Sequence, residues 1–145
     1  MPISPKREIT KLADLILVTG RAIKESPTGD EQDPLAMGHF KVLRYISEQT
    51  LPTMRDVAEA LRITPPTATV MVDSLITKKY VRRSIDKKDR RRILLRMTSA
   101  GQAILVEQEA CFKKRVTTIL SCLNTDERKQ FESILIKITS SVVKK

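Results

Sequence analysis

The sequence predicts a mainly α protein that carries one β-hairpin, and three observations indicate this class. Apolar residues recur every three or four positions over most of the chain, which is the spacing of amphipathic helices. One window, residues 80–97, changes to the alternation that is typical of strands. The composition agrees, because the 145 residues are 41% hydrophobic and 30% charged with only four Gly, as in folded helix-rich proteins.

The N-terminal part contains two predicted helices separated by a linker. Residues 6–25 carry an apolar stripe at helical spacing. Residues 26–34 read SPTGDEQDP, and their Pro, Gly and acidic residues predict a linker. A second helix is expected over residues 35–48. Its buried positions are predicted to be Phe40, Leu43 and either Tyr45 or Ile46.

Two short helices joined by a turn are predicted next. Thr53 followed by Asp56 has the spacing of a capping box at a helix start. Thr64 followed by Pro65 marks a second start, because a hydroxyl caps the N-terminus and Pro is tolerated at the first helical position. Two such helices form a helix-turn-helix, whose second helix is free to enter a DNA groove.

The segment Lys78 to Met97, KKYVRRSIDKKDRRRILLRM, holds ten Lys or Arg against two Asp, whereas the whole chain has a net charge of +10. Alternation predicts strands at residues 80–85 and 92–97, with DKKDRR as the hairpin loop between them. The second strand is expected to place Ile93, Leu95 and Met97 on one side and Arg92, Leu94 and Arg96 on the other. Such basic surface gains affinity by releasing counterions from a polyanion, so nucleic acid is the expected partner.

Two C-terminal helices complete the predicted chain. Thr98 is expected to cap a long helix that reaches residue 123, and Asn124 begins the last helix. Both carry more apolar surface than the N-terminal half is able to cover, so a second subunit is the expected cover. The expected organisation is mainly α with a small β part (α+β): residues 1–34 and 99–145 form a helical dimerisation region, and residues 35–98 form a helix-turn-helix domain with its hairpin at about 80–97.

The composition also disfavours several classes of function. Aromatic residues make up 3% of the chain, too few for a base-stacking RNA platform. One His and no Gly-rich phosphate loop offer no catalytic constellation, so neither an enzyme nor a cofactor is expected. No metal site is expected, and Cys111 and Cys122 form no CxxC pair. No apolar run is long enough to span a bilayer and no cleavable signal pattern is present, so a cytoplasmic location is expected.

Cys111 leaves two interpretations open. Lys114 and Arg115 are its neighbours on a helix, which favours a thiolate and redox sensing. A cysteine on a long apolar stripe is more often an inert small hydrophobic residue.

The order of these elements resembles the MarR family of winged-helix transcription regulators over essentially the whole chain. Three segments carry the resemblance: FKVLRYI (40–46), MRDVAEALRITPPTATVMVDSL (54–75) and DKKDRRRILLRMTSAG (86–101). The last is the most specific, because an Asp-x-Arg wing leads directly into Thr98 and Gly101. The resemblance implies a homodimeric repressor that binds pseudo-palindromic duplex DNA and is released by a small aromatic or phenolic effector. Phe40, Tyr45, Phe112 and the nearby Arg residues are the candidate effector contacts, and nothing in the sequence identifies the effector.

The resemblance also implies roles at the DNA interface. The helix at residues 64–78 would read the major groove, while Asp89 would orient Arg91, and Arg90 or Arg91 would enter a narrow A·T-rich minor groove. The reading helix has no Lys or Arg from residue 64 to 77, so the bidentate contact of Arg with guanine is absent and modest base discrimination is expected. The residues expected to contact DNA are Thr53, Arg55, Thr64, Pro66, Thr67, Val70, Ser74, Lys78, Lys87, Lys88, Asp89, Arg90 and Arg91.

Two alternative functions and one backbone question remain open. The uncharged reading helix suits an architectural DNA-binding protein of low specificity, and a basic wing also suits a protein-interaction module with an acidic partner. Lys79 stands where the family has Gly. Either the reading helix ends without a left-handed residue, or Lys79 bears roughly 1 kcal/mol of strain.

Overall fold

A computed structural model describes residues 5–25 and 35–143, and these contain six helices and one two-stranded antiparallel sheet. The mainly helical class with one hairpin is confirmed. The predicted linker at residues 26–34 lies outside the described residues. None of the described helices is long and apolar enough to cross a membrane. In chain order the elements are α1 (Pro5–Glu25), α2 (Met37–Glu48), α3 (Met54–Leu61), α4 (Pro65–Thr77), β1 (Val81–Ile85), β2 (Ile93–Met97), α5 (Ser99–Leu120) and α6 (Thr125–Val143).

The chain divides into two compact units. One comprises Met1–Gly29 with Phe112–Lys145, and the other comprises Asp30–Cys111. The first unit therefore holds α1, the C-terminal part of α5 and α6, while the second holds α2, α3, α4, the hairpin and the N-terminal part of α5.

The core of the second unit is built from α2, α3, α4 and the hairpin. Leu43 and Ile46 are buried as predicted, while Phe40 and Tyr45 are only partly buried. Because α3, α4 and β2 all pack against α2, its buried face extends to Val42. The largest side chains that are fully buried are Leu43, Leu75, Leu95, Val42, Val57, Val72 and Val81.

Side-chain caps define four of the helix starts. At α5, Thr98 Oγ1 accepts from the Gly101 backbone N–H at 3.0 Å, so the cap predicted at Thr98 is confirmed. The capping box at α3 is confirmed: the Asp56 backbone N–H donates to Thr53 Oγ1 at 3.2 Å, and the Thr53 backbone N–H donates to Asp56 Oδ2 at 2.7 Å. Thr64 caps α4, where Pro65 is the first residue, also as predicted. At α6, Asn124 and Glu127 bond reciprocally in the same way. α5 ends at Leu120, three residues before the predicted end.

A tight joint connects the end of α4 to the start of α5. Lys79 adopts the left-handed conformation, with φ of 63°, so the chain after the reading helix does pass through a left-handed residue without glycine. Thr98 Oγ1 donates to the Lys79 carbonyl at 2.7 Å, and the Thr98 N–H donates to the Tyr80 carbonyl at 3.0 Å. A Cβ at Gly101 would lie 2.2 Å from the same Tyr80 oxygen, so only glycine fits this approach.

The hairpin pairs Val81 with Met97 and Ile85 with Ile93, which gives the two sides that alternation predicts. Burial does not follow those sides, because both Leu94 and Leu95 are buried. The chain that precedes α3 explains this: Thr53 forms an isolated bridge with Leu94, and the Leu95 N–H donates to the Pro52 carbonyl at 2.8 Å. Leu94 is therefore covered on the side that faces away from the main core.

Candidate nucleic-acid interface

α4 exposes one face because the opposite face forms part of the core. Ala68, Val72 and Leu75 are fully buried. Among the residues expected to contact DNA, Thr64, Pro66, Thr67 and Val70 are exposed, and Val70 has 69% of its surface accessible. Ser74 is partly buried instead of fully exposed. Lys78, at the C-terminal end of the helix, is exposed.

Most hydroxyl groups of α4 already have partners within the helix. The Thr64 and Thr67 hydroxyls bond each other at 2.7 Å. The Thr69 and Thr77 hydroxyls donate to the carbonyls four residues earlier, each at 3.0 Å. This face therefore offers hydrogen-bond acceptors, methyl groups and the apolar side chain of Val70, whereas its sequence supplies no cationic donor. Such a surface suits thymine methyls and the amino groups of adenine or cytosine.

The hairpin loop is folded by its two acidic residues. Asp86 Oδ1 accepts from the Lys88 backbone N–H at 2.9 Å, and Asp89 Oδ1 accepts from the Arg91 backbone N–H at 3.0 Å. These are Asx turns, in which a carboxylate holds the backbone two residues onward. Asp89 thus positions Arg91 through its backbone. The acids are occupied within the loop, and the exposed cations of this basic tip are Lys87, Lys88, Arg90, Arg91 and Arg92.

An ion pair joins the hairpin to α4. The Arg83 guanidinium on β1 donates to the Asp73 carboxylate on α4. The pair fixes the base of the hairpin against the exposed helix.

Thr53 and Arg55, the two residues at the start of α3 that are expected to contact DNA, already have partners within the protein. The Thr53 hydroxyl and backbone N–H both donate to the Asp56 carboxylate, and these bonds lower the pKa of Asp56. Arg55 is exposed and pairs with Glu59 at 2.8 Å, which raises the pKa of the Arg55 guanidinium. A phosphate at this position would compete with Glu59 for Arg55.

Two polar contacts within the second unit were not predicted. The buried Gln108 side chain accepts from the Leu35 backbone N–H at 3.1 Å, and Arg44 bonds both Glu48 and Glu109. Both contacts tie the α2 region to α5. Arg44 and Glu109 are 65 positions apart in the sequence, and Leu35 and Gln108 are 73 positions apart. The periodicity of apolar residues along the chain does not indicate such distant contacts.

The remaining candidate residues are divided between the two units. Cys111 is buried and Cys122 is exposed, so the two thiols lie in different environments. Phe112 is 53% exposed in the first unit, while Phe40 and Tyr45 are partly buried in the second. In the part of the chain that the structure describes, no group of three or more His, Cys, Asp or Glu residues is placed to hold a metal ion.

A comparison with known proteins matches the segment that contains the exposed face of α4 and the basic tip to a protein family. Residues 35–93 match the model of the MarR family. The uncharacterized HTH-type transcriptional regulator YwaE of Bacillus subtilis is 30% identical over 88 residues, which are 61% of this chain and 52% of YwaE. The chain spans about half the length of the curated relatives that it matches at this level of identity.

Two solved structures share the fold. A mutant of Staphylococcus aureus MepR bound to an oligodeoxyribonucleotide is 25% identical with a TM-score of 0.67, over 90% of this chain and 97% of that one. YusO of Bacillus subtilis is 24% identical with a TM-score of 0.75, over 95% and 99% of the two chains. Over its helix-turn-helix and wing, this chain is therefore similar to the MarR family of winged-helix proteins, and it shares the fold of these two solved structures.

Proposed function

We propose that the protein is a DNA-binding transcription regulator, acts as a dimeric repressor and has no enzymatic activity. One observation carries this function. A single compact unit presents the exposed face of α4 beside the basic tip, and the ion pair of Arg83 with Asp73 joins the elements that hold them. A helix of this kind enters the major groove, and an exposed Arg-rich loop suits the adjacent minor groove.

The basic tip and the exposed face of α4 contribute differently to DNA binding. The basic tip supplies positive charge, so it provides most of the affinity through phosphate contacts and counterion release. The face of α4 has no Lys or Arg, and it contributes modest discrimination through methyl and acceptor contacts. The preferred operator is therefore rich in A·T pairs.

A homodimer is supported by the apolar surface of α1 and α6. Neither of these two helices has a buried residue over its described length. A second copy would remove this surface from water, and a two-fold dimer would match a palindrome with half-sites about one helical turn apart. The exposed large apolar residues of these helices are Ile9, Leu12, Leu15, Ile16, Leu17, Val18, Phe131, Ile134, Leu135, Ile136, Ile138, Val142 and Val143.

The family resemblance supports two further features of this proposal. A small aromatic or phenolic effector releases the repressor from its operator. The protein acts in the cytoplasm, where the DNA is.

Nuclease protection of the DNA that flanks the gene tests the proposed function. The expected result is a protected palindrome, bound roughly 10³-fold or more tightly than a scrambled duplex of the same length at the same salt concentration. No binding to any duplex at low salt would contradict the proposal and favour a protein-interaction module.

An architectural DNA-binding protein is the second candidate, and the absence of cationic residues from the sequence of α4 favours it. Binding to operator and scrambled duplex with similar affinity would select this candidate, since architectural proteins depend on the backbone and its deformability.

A further inference from the structure

Val70 lies at the centre of the exposed face of α4. Successive residues of a helix are about 100° apart, so Val70 lies about 160° around the helix from Ala68 and Val72. Both of those residues are fully buried, whereas Val70 is 69% exposed. The structure describes α4 throughout, and Val70 is its only exposed large apolar residue. Its side chain therefore projects away from the core of its unit.

The side chains around Val70 carry no positive charge. Its neighbours at positions i±3 and i±4, which lie on the same face of the helix, are Pro66, Thr67, Asp73 and Ser74. The hydroxyls of Thr67 and Thr64 bond each other, and the Asp73 carboxylate accepts from Arg83. A guanine presents two acceptors in the major groove. It would find no cationic donor here, and the carboxylate of Asp73 presents only further acceptors.

The two pyrimidines offer different groups to an apolar side chain. In the major groove thymine shows its C5 methyl group and an acceptor, whereas cytosine shows an amino donor and no methyl group. Contact between this methyl group and a valine side chain removes apolar surface from water. At the usual free energy of burial of one such carbon, the contact strengthens binding about fourfold.

The basic tip has no means to make the same distinction. Its cations attract phosphates, which are present in every sequence. The C5 methyl groups also lie in the major groove, whereas an Arg-rich loop suits the minor groove. Recognition of a methyl group therefore belongs to α4, and as an apolar contact it should depend little on salt.

We propose that Val70 reads the C5 methyl group of one pyrimidine in each operator half-site. Thymine and 5-methylcytosine both supply that group, whereas cytosine and uracil lack it. A half-site with cytosine at this position is therefore bound more tightly once the cytosine is methylated at C5, so that DNA methylation regulates binding. This inference rests on the proposed function, because it concerns the operator that α4 contacts.

Two substitution scans of the palindrome protected from nuclease locate the contact. Replacing thymidine with deoxyuridine removes only the methyl group, and replacing cytidine with 5-methylcytidine adds only that group. At the contacted position the first change should weaken binding about fourfold for each half-site, and the second should strengthen it by the same factor. If no position responds in either scan, the proposal is wrong.

Val70→Ala connects the response to this side chain. Alanine has the higher helix propensity and Val70 is exposed, so the variant keeps the fold. It should bind the thymidine and deoxyuridine duplexes equally, and likewise the cytidine and 5-methylcytidine duplexes. The matched control is Val106→Ala, which truncates a valine of α5 that is 55% exposed and should keep the wild-type ratios. Wild-type ratios in Val70→Ala would assign the response to DNA shape or to another residue and overturn the proposal.

Salt dependence separates the methyl contact from attraction to phosphates. Between about 50 and about 200 mM salt the affinity for each duplex should fall steeply, while the ratio of the thymidine duplex to the deoxyuridine duplex should stay constant. A ratio that approaches one as salt rises would mean that the preference is electrostatic, which contradicts a contact with Val70.

The same titrations distinguish failure of this inference from failure of the proposed function. If the protein binds no duplex, modified or unmodified, the proposed function is wrong and the inference fails with it. If the wild type binds its palindrome selectively but responds to neither substitution, the proposed function stands and only the role of Val70 is overturned.

Discussion

The Arg83 guanidinium of β1 bonds the Asp73 carboxylate of α4, and this ion pair links the wing to the helix beside it. Both side chains are about half exposed, so the pair contributes at most roughly 1 kcal/mol to stability. Its main effect is on position, because it restricts where the wing lies relative to the face of α4.

Asp73→Asn tests that link. We expect a decrease of less than about 1 kcal/mol in the free energy of unfolding and faster amide hydrogen exchange across the wing. Glu59→Gln is the matched control, since it breaks the exposed pair with Arg55 that does not reach the wing. Equal wing exchange in both variants would show that the pair does not restrain the hairpin.

Arg90→Ala with Arg91→Ala tests the contribution of the basic tip to DNA binding. We expect weaker binding to every duplex, and the slope of log affinity against log salt should fall by about one for each phosphate that is no longer neutralised. Binding titrations at several salt concentrations measure both quantities. Lys41→Ala is the control: it removes an exposed charge from α2 and should leave the slope unchanged. If the tip variant also leaves the slope unchanged, the tip is a solvated loop that makes no phosphate contacts.

Lys79→Gly tests the left-handed turn after α4. Lys79 has a φ of 63°, a conformation that costs a residue with a Cβ roughly 1 kcal/mol. The glycine variant should therefore be more stable by up to about 1 kcal/mol, measured by urea unfolding. Lys79→Val should be less stable than the wild type, because a β-branched residue fits this region worst. A decrease in stability with glycine would mean that Lys79 makes a compensating contact.

Gly101→Ala tests the joint between the wing and α5. The new Cβ would lie 2.2 Å from the Tyr80 carbonyl oxygen and 2.8 Å from Met97 Cγ. Either the joint opens or the chain shifts, so we expect destabilisation by about 1–3 kcal/mol, as for overpacked sites. Gly20→Ala is the matched control: nothing lies within 4 Å of its Cβ position in α1, and helix propensity there favours Ala.

Acidification tests the capping box of α3. The backbone N–H and hydroxyl of Thr53 lower the pKa of Asp56 below its usual value. Because the pKa is lower in the folded state, the stabilisation is fully present above the unfolded pKa of about 3.9 and disappears as pH falls through the folded pKa.

Asp56→Asn should therefore cost about 1 kcal/mol near pH 6, with the difference from the wild type shrinking below about pH 4. Urea unfolding across this range measures it. In a Thr53→Ala background the pH-dependent difference should be smaller, because the hydroxyl donor is gone. A difference that does not change with pH would assign the effect to packing instead of the carboxylate.

Local chemistry made much of the fold predictable. The Thr53 and Asp56 box and the start of α4 at Pro65 follow from side chains within three residues of each other, so the sequence indicates them directly. Burial of Leu94 depends on the bridge to Thr53, and burial of Gln108 depends on its bond to Leu35. Contacts between distant residues leave no periodic pattern, so the sequence alone does not predict them.

The candidate site was also predictable only in part from the sequence. Charge counts locate the basic tip, whose cations are all exposed. They do not separate the loop cations from Arg82 and Arg96, which belong to the same charged segment but pair with each other across the two strands. Only strand register distinguishes the two.

The approach of Gly101 to the Tyr80 carbonyl also matters for tracing the ancestry of this chain. A position where any side chain collides with a backbone oxygen tolerates little substitution, whereas the exposed positions of α4 are under no such packing constraint. Related chains are therefore best recognised from the joint of Thr98 and Gly101 and not from the exposed face of α4.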